Sequence, residues 1–509
     1  MPAMMSATTR DRIRSFLPSL AFTLLLIAVA AWSIAIMFRQ LGYGLEYDEA
    51  YLLGVARNLA EGRGYVDDGV TFLSTSEIFS PVISTGPTVV LPAAAAWWAT
   101  DGSLVAIRAT MMMFFLLLMG STWLLFSRLG GRWVALAAVS GLALLPILSP
   151  DLQNGSLMPG RVVGELPALA LFILAGWLLA RSQPLLSGLA AGAALEAKLT
   201  FLIAVAGMGV VMLVARYREQ GWKSAIGWIW FALGIAIPVV AFELYKLAAL
   251  GVGGYQRHLE SVRGFADTQN IPLAEMPSVL SSHLSSAAGL ISVSIILVVV
   301  LLVIAWLRAK RATLPSGFGS SPTHQPDVLH IVIALTVGIA LMFGWWLLRS
   351  QQASPRPAVP AVLWIAVAAS GITMMLLRRI ALRNDQWTRA LAATLYLVLL
   401  VTVGLHAIHV ALDDSGARLL AEQQDAAQWL ITNHGSVPID EYWTNPELLI
   451  LSGLPPDLDP VHKLTAFTSI RALNETQVPD ARVFRDECVT SHFDTPSVLI
   501  CFAFPTWGP

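Results

Sequence analysis

Charge is scarce in this chain of 509 residues. Only 13% are Asp, Glu, Lys or Arg and 56% are apolar, against about 25% charged and 45–50% apolar in ordinary soluble domains. So little charge cannot solvate the surface of that much apolar bulk, which excludes a soluble enzyme. The 32 basic and 33 acidic residues also lack the one-sided excess of a nucleic-acid binder or a disordered tail, so no nucleic-acid partner is expected. Internal repeats are missing, which speaks against a transporter built from two matching halves. Cysteine is nearly absent: Cys488 and Cys501 are close enough to close a short loop in an oxidising compartment, and two thiols that never pair are the alternative.

What the chain has is apolar runs of membrane-spanning length, about 20 residues for a hydrocarbon core of about 30 Å. They fall at 16–38, 104–126, 133–149, 162–180, 225–250, 287–307, 328–348, 358–377 and 389–410. A further stretch, 185–217, is interrupted at Glu196-Ala197-Lys198 and reads as two short helices. The expectation is a mainly α, polytopic helical membrane bundle of about eleven spans. The segment 86–99 has fourteen residues and two prolines and reads as a helix at the outer interface with Trp97 and Trp98 as anchors, with a short tilted span as the alternative. The first apolar run is too long for a cleaved signal and reads as an anchor.

The near-zero net charge conceals an asymmetry. Residues 1–409 carry 27 basic and 19 acidic side chains, a net of +8, whereas 410–509 carry 5 and 14, a net of −9. With a cytoplasmic N-terminus, sixteen of the 27 basic residues fall on the short inner segments, the bias expected of cytoplasmic loops. Residues 1–409 then form the membrane domain, with outer loops at 39–103 and 251–286. Residues 410–509 form a small extracytoplasmic α/β domain with a helix at 415–434 and strands at 437–439 and 497–502. Asp440-Glu441-Tyr442-Trp443 reads as a turn and edge of that domain, with contact to an acceptor as the alternative. Asn154 and Asn474 stand in sequon-like triplets on outer segments.

Ionisable groups near a membrane are costly and mark functional sites. On the outer face these are Asp48 and Glu49, in Tyr47-Asp48-Glu49, and Glu165, just inside a later span, with Asp151 as the alternative second acid. The cations on that face are Arg57, Arg63, Arg108, Arg161, Lys198, Arg257 and Arg263, beside His258. Lys198 interrupts an apolar stretch, where an ammonium needs a polar cavity or an anion such as a lipid phosphate. Its alternatives are pairing with Glu196 or snorkelling to the interface. For the carboxylates, helix capping or simple solvation is the alternative. Arg257, His258 and Arg263 equally suit a solvated surface helix.

These motifs resemble the GT-C superfamily of integral-membrane glycosyltransferases, in particular bacterial relatives of protein mannosyltransferases and aminoarabinose transferases. The resemblance rests on Tyr47-Asp48-Glu49-Ala50-Tyr51, on residues 56–65, on Ser84-Thr85-Gly86-Pro87, on Gly164-Glu165-Leu166-Pro167-Ala168, and on Gly188 to Gly192 running on to Lys198-Leu199-Thr200. It covers about residues 15–220. It implies transfer of a sugar from a polyprenyl-phosphate donor to an acceptor at the outer face, with inversion at the anomeric carbon. In that reading Asp48 is the general base, Glu49 orients the acceptor or a metal, and Glu165 is the second acid. Lys198, with Arg161 or Arg257, holds the departing phosphate. Many relatives carry Lys or His before the proline where this chain has Ser84-Thr85-Gly86-Pro87, and this leaves the acceptor class open. Metal use stays open: a divalent cation is possible, but it would have only Asp48 and Glu49 as ligands, too few for a dedicated cage. The competing reading is a transporter or lipid flippase with Glu165, Lys198 and Arg108 as an intramembrane relay.

Overall fold

The computed structural model describes residues 7–67, 78–80, 85–143, 160–220, 225–269, 272, 275–284, 328–349 and 359–381. Beyond 419 it describes helical positions 420–421, 423–425, 427–428, 431–432 and 450–452 and four short strands. The helices of the first part are α1 (Ala7–Leu41), α2 (Tyr47–Ala60), α3 (Pro87–Thr100), α4 (Leu104–Gly130), α5 (Arg132–Ala143) and α6 (Glu165–Ala180). They continue as α7 (Pro184–Ala197), α8 (Phe201–Gln220), α9 (Ala225–Gln269), α10 (Met276–Leu284), α11 (Val328–Arg349) and α12 (Val359–Ala381).

Among the described residues six helices are long and apolar enough to cross a membrane, and α5, α6 and α7 are shorter apolar ones. The chain is an integral membrane protein. Of the expected spans, 287–307 and 389–410 lie outside the described residues. Helix α6 is short for a physical reason. Helix α6 is apolar on all sides and has thirteen of its sixteen residues buried, the pattern of a helix enclosed by other helices rather than by solvent or lipid. At 1.5 Å per residue it is about 24 Å long, less than a hydrocarbon core. It packs between α4, α7, α11 and α12.

The small residues of α7 set its partner. A Cβ on Gly188 would collide with the Phe231 carbonyl of α9, and one on Gly234 of α9 would collide with the Leu185 carbonyl. Backbones approach this closely only where small residues repeat every four positions, as in Gly188-x-x-x-Gly192. Helix α9 departs from expectation. The chain does not leave the helix after residue 250; it kinks at Gly251, which takes φ 67° and ψ 172°, and resumes a helix to Gln269. The segment expected as a loop at 251–286 is therefore largely helical.

The two ends of the bundle differ chemically. At one end Arg128 donates to the Ala180 carbonyl at 2.7 Å, and Arg132 stacks 4.7 Å over the Phe22 ring. At the other end lie the carboxylates and their partners, described below. Beyond 419, β1 (Ile439–Asp440), β2 (Leu464–Phe467), β3 (Val483–Thr490) and β4 (Leu499–Ala503) form one sheet in the order β1-β2-β4-β3. β1 runs parallel to β2, and the other pairs are antiparallel, with Cys488 of β3 opposite Cys501 of β4. β1 and β4 meet the strand-like sequences at 437–439 and 497–502; β2 and β3 were not expected.

Candidate active site

Helix α2 starts from an irregular turn, and one buried cation organises that turn. The Arg108 guanidinium of α4 donates to both carboxylate oxygens of Glu49, at 2.8 and 2.7 Å. It also donates to the carbonyls of Leu41 at 3.1 Å, Tyr43 at 2.6 Å and Gly44 at 3.3 Å. Both side chains are essentially inaccessible, at 1% and 0% exposure. A buried pair of this kind holds only when the remaining donors also find partners, and here the carbonyls that leave α1 supply them. The Val162 N–H reaches Glu49 Oε1 at 3.4 Å, and Arg161 Nη1 donates to Glu46 Oε2 at 2.6 Å. Helix α2 is thereby tied to the irregular stretch before α6. Asp48 lies half-buried between Glu46 and Glu49 in the first turn of α2, where the positive end of the helix favours a carboxylate.

The second pair lies at the start of α6. Lys198 Nζ meets Glu165 Oε1 at 2.9 Å, with the carboxylate buried and the lysine 17% exposed. Lys198 therefore pairs with Glu165 rather than with its neighbour Glu196. It does so because α7 stops at Ala197, Lys198 is extended at φ −156° and ψ 114°, and α8 begins at Phe201, whose N–H donates to the Lys198 carbonyl. Two glycines clamp this break. A Cβ on Gly164 would collide with the Ala197 carbonyl, and one on Gly86 with the Glu196 carbonyl. The starts of α3 and α6 are thus pressed against the peptide that carries Lys198. The N-caps of α3 and α6 are glycines, Gly86 and Gly164, which supply no side-chain cap, so the positive ends of these two helices meet at the Lys198 break, where they favour an anion.

Beside this lies an aromatic and ionic network that sequence reading missed. Tyr65 stacks on Phe79 at 5.4 Å and meets Phe242 of α9 edge-on at 5.6 Å. Its hydroxyl donates to the Thr85 carbonyl at 3.0 Å. Burial, followed by the Glu196 carboxylate, pushes this hydroxyl above the ordinary tyrosine range, so it stays protonated and keeps donating. Tyr65→Phe leaves a buried carbonyl without its donor and is expected to cost about 1–3 kcal/mol, read as a lower denaturation midpoint at unchanged expression. On α9, Glu243 accepts from Lys246 at 2.8 Å and from Tyr255 at 2.7 Å, across the Gly251 kink. Lys246 stands 4.5 Å over the Phe242 ring. Two ionisable residues three apart inside the apolar run 225–250 were the available signal.

The residues singled out in the sequence separate into groups. Glu46, Glu49, Arg108 and Arg161 join α1, α2, α4 and the approach to α6; Glu165 and Lys198 join α6 to the α7–α8 break. Arg57 is buried in the last turn of α2. His258 reaches the network through Phe79, 6.3 Å away between ring centroids, whereas Arg257 and Arg263 are exposed beyond the kink. The proposed relay of Glu165, Lys198 and Arg108 is divided between two separate ion pairs. Asp151, Ser84, the sequon-like triplets and residues 441–443 lie outside the described residues. Among the described residues no three His, Cys, Asp or Glu side chains group as metal ligands. Asp48 and Glu49 do not fit a cation as a pair, because both Glu49 oxygens accept from Arg108.

The described residues form a helical membrane bundle with carboxylates and cations gathered at the starts of its helices at one end. The structure of ArnT from Cupriavidus metallidurans bound to undecaprenyl phosphate aligns with 96% of this chain and 100% of its own, at a TM-score of 0.55 and 12% identity. The Archaeoglobus fulgidus oligosaccharyltransferase, solved in complex with Zn and sulfate, aligns with 86% of this chain and 58% of its own, at a TM-score of 0.50 and 13% identity. No protein-family model and no curated protein sequence matches the chain. The likeness is one of fold.

Proposed function

We propose that the chain is a glycosyltransferase that moves a sugar from a polyprenyl-phosphate donor to an acceptor at the outer membrane face. The observation that carries this reading is the convergence of a buried Glu165–Lys198 pair with the uncapped starts of α3 and α6, beside the turn that bears Asp48. It is supported by the fold shared with an ArnT that was solved with undecaprenyl phosphate bound. Asp48 takes the proton of an acceptor hydroxyl as the oxygen attacks the anomeric carbon. The bond from that carbon to the phosphate oxygen breaks, and the polyprenyl phosphate leaves with the negative charge, inverting the centre. Lys198 and Arg161 meet that charge where it develops, and Glu165, the second acid, holds Lys198 until the phosphate arrives. Glu49 fixes the α2 turn through Arg108. Arg57 supports that helix from its last turn. His258, Arg257 and Arg263 serve the lipid side of the donor from the kinked segment of α9.

The bias of basic residues toward the short segments taken as inner supports a cytoplasmic N-terminus and an outer domain at residues 410–509, in a reading with about eleven spans in a plasma membrane of bacterial type. Cys488 and Cys501, opposite each other in the strand register, are the pair an oxidising compartment closes into a disulfide. No step is assigned to a metal.

The test is transfer of radiolabel from a panel of undecaprenyl-phosphate-linked sugars in membranes carrying the wild type, Lys198→Met or Lys198→Arg. Removing one charge-stabilising donor costs about 10²–10³ in rate. Lys198→Met is expected to lose that much and Lys198→Arg to retain most of the activity. Full transfer by Lys198→Met, or none by the wild type across the panel, overturns the reading.

A further inference from the structure

The turn that carries Asp48 is held from two sides, and only one of them belongs to the membrane bundle. Between the end of α1 and the start of α2 the chain is not helical and is buried at Gly44 and Leu45, so its peptide groups need partners from elsewhere. Arg108 takes the carbonyls of Leu41, Tyr43 and Gly44, and the Glu46 carbonyl accepts the Ala50 N–H at 2.9 Å inside α2. Leu45, 2% exposed, lies between them, and both of its peptide groups go to a single side chain 378 residues away. The Leu45 N–H donates to Gln423 Oε1 at 2.8 Å, and Gln423 Nε2 donates to the Leu45 carbonyl at 2.9 Å.

This pairing demands a particular chemistry. A side chain that answers an N–H and a C=O of the same residue must accept and donate from adjacent atoms, which a primary amide does and a carboxylate, ammonium or hydroxymethyl group of similar length does not. Gln423 sits on the docked face of its helix: it and Ala427, one turn on, are 8% and 2% exposed, while Gln424, Asp425 and Gln428 face solvent. Ile450 from the same region joins the hydrophobic core of the bundle.

We infer that Gln423 is a positioning residue for Asp48, so that the C-terminal segment is a working part of the active site. The inference rests on the reading of Asp48 as the base. Two hydrogen bonds to a residue three positions before Asp48 fix the path of the chain into α2. Releasing them lets the turn drift, and a displacement of about 1 Å at a reacting group costs on the order of 10²-fold in rate.

Two measurements on the full-length protein in detergent or nanodiscs test it. In hydrogen–deuterium exchange, Gln423→Ala is expected to raise deuterium uptake in peptides covering 42–48 and to leave those covering 166–178 unchanged. Gln423→Glu keeps an acceptor for the Leu45 N–H but offers its carbonyl no donor, and is expected to fall between Gln423→Ala and the wild type. The exposed neighbour variant Gln424→Ala should match the wild type. In the transfer assay, Gln423→Ala is expected to lower kcat by about 10- to 100-fold with little change in the KM for the polyprenyl-phosphate donor, the signature of a group acting only in the transition state. Unchanged exchange at 42–48 overturns the clasp. Raised exchange with unchanged kcat, or a loss confined to KM, overturns the positioning role. Exchange needs no donor, so a wild type that transfers no sugar sinks the enzymatic reading and still leaves the clasp confirmed or refuted by its own measurement.

Discussion

Asp48→Asn is expected to lower sugar transfer by about 10²–10⁴-fold, the usual contribution of a positioned general base, while the protein still accumulates in membranes and still binds undecaprenyl phosphate. The substitution keeps the size of the side chain and removes its ability to take a proton. Its neighbours should not move, because Glu46 is anchored by Arg161 and Glu49 by Arg108. The loss should therefore appear in kcat, with the donor KM changed little. Asp48→Glu keeps the carboxylate but moves it by one methylene and should recover part of the rate. Near-wild-type transfer by Asp48→Asn would show that the base is another group.

The second large effect is on stability. Arg108→Met leaves the Glu49 carboxylate buried without its cation and takes the donor from three main-chain carbonyls. Breaking a buried pair by removing one partner costs about 3–5 kcal/mol, and thermal unfolding in detergent should show a correspondingly lower midpoint. Glu49→Gln keeps two polar atoms toward Arg108 and should cost less. The double variant Arg108→Met, Glu49→Leu should be more stable than Arg108→Met alone, since no charge remains buried. If Arg108→Met unfolds at the wild-type midpoint, the pair is not what holds α2.

How much of this was legible in advance follows from what each interaction depends on. The helical bundle was readable because span length is a property of composition alone. The break at Glu196-Ala197-Lys198 was readable because a lysine inside an apolar run has to be explained. Which carboxylate Lys198 meets was not readable: Glu196 is two residues away in sequence and Glu165 thirty-three, and the choice depends on the extended backbone at Lys198 and on how closely α6 approaches. Arg108 was visible as a cation, but its role rests on main-chain carbonyls, which every residue has and no sequence pattern reports. Gln423 was invisible for the same reason, since its partner is the peptide of a leucine. The helix beyond Gly251 was legible only as one of two readings, because a glycine followed by charged and polar residues suits a loop and an amphipathic surface helix equally well.

The peptide that presents Lys198 is held between Gly86 and Gly164 by contact with carbonyl oxygens. Main chain against main chain is a joint whose shape does not depend on the identity of the surrounding side chains. It asks for smallness at two positions and for little else, so the rest of the sequence is free to drift while the cation stays at the end of the bundle. A joint of this kind asks so little of the side chains around it that a likeness of fold at 12% identity places no demand on them.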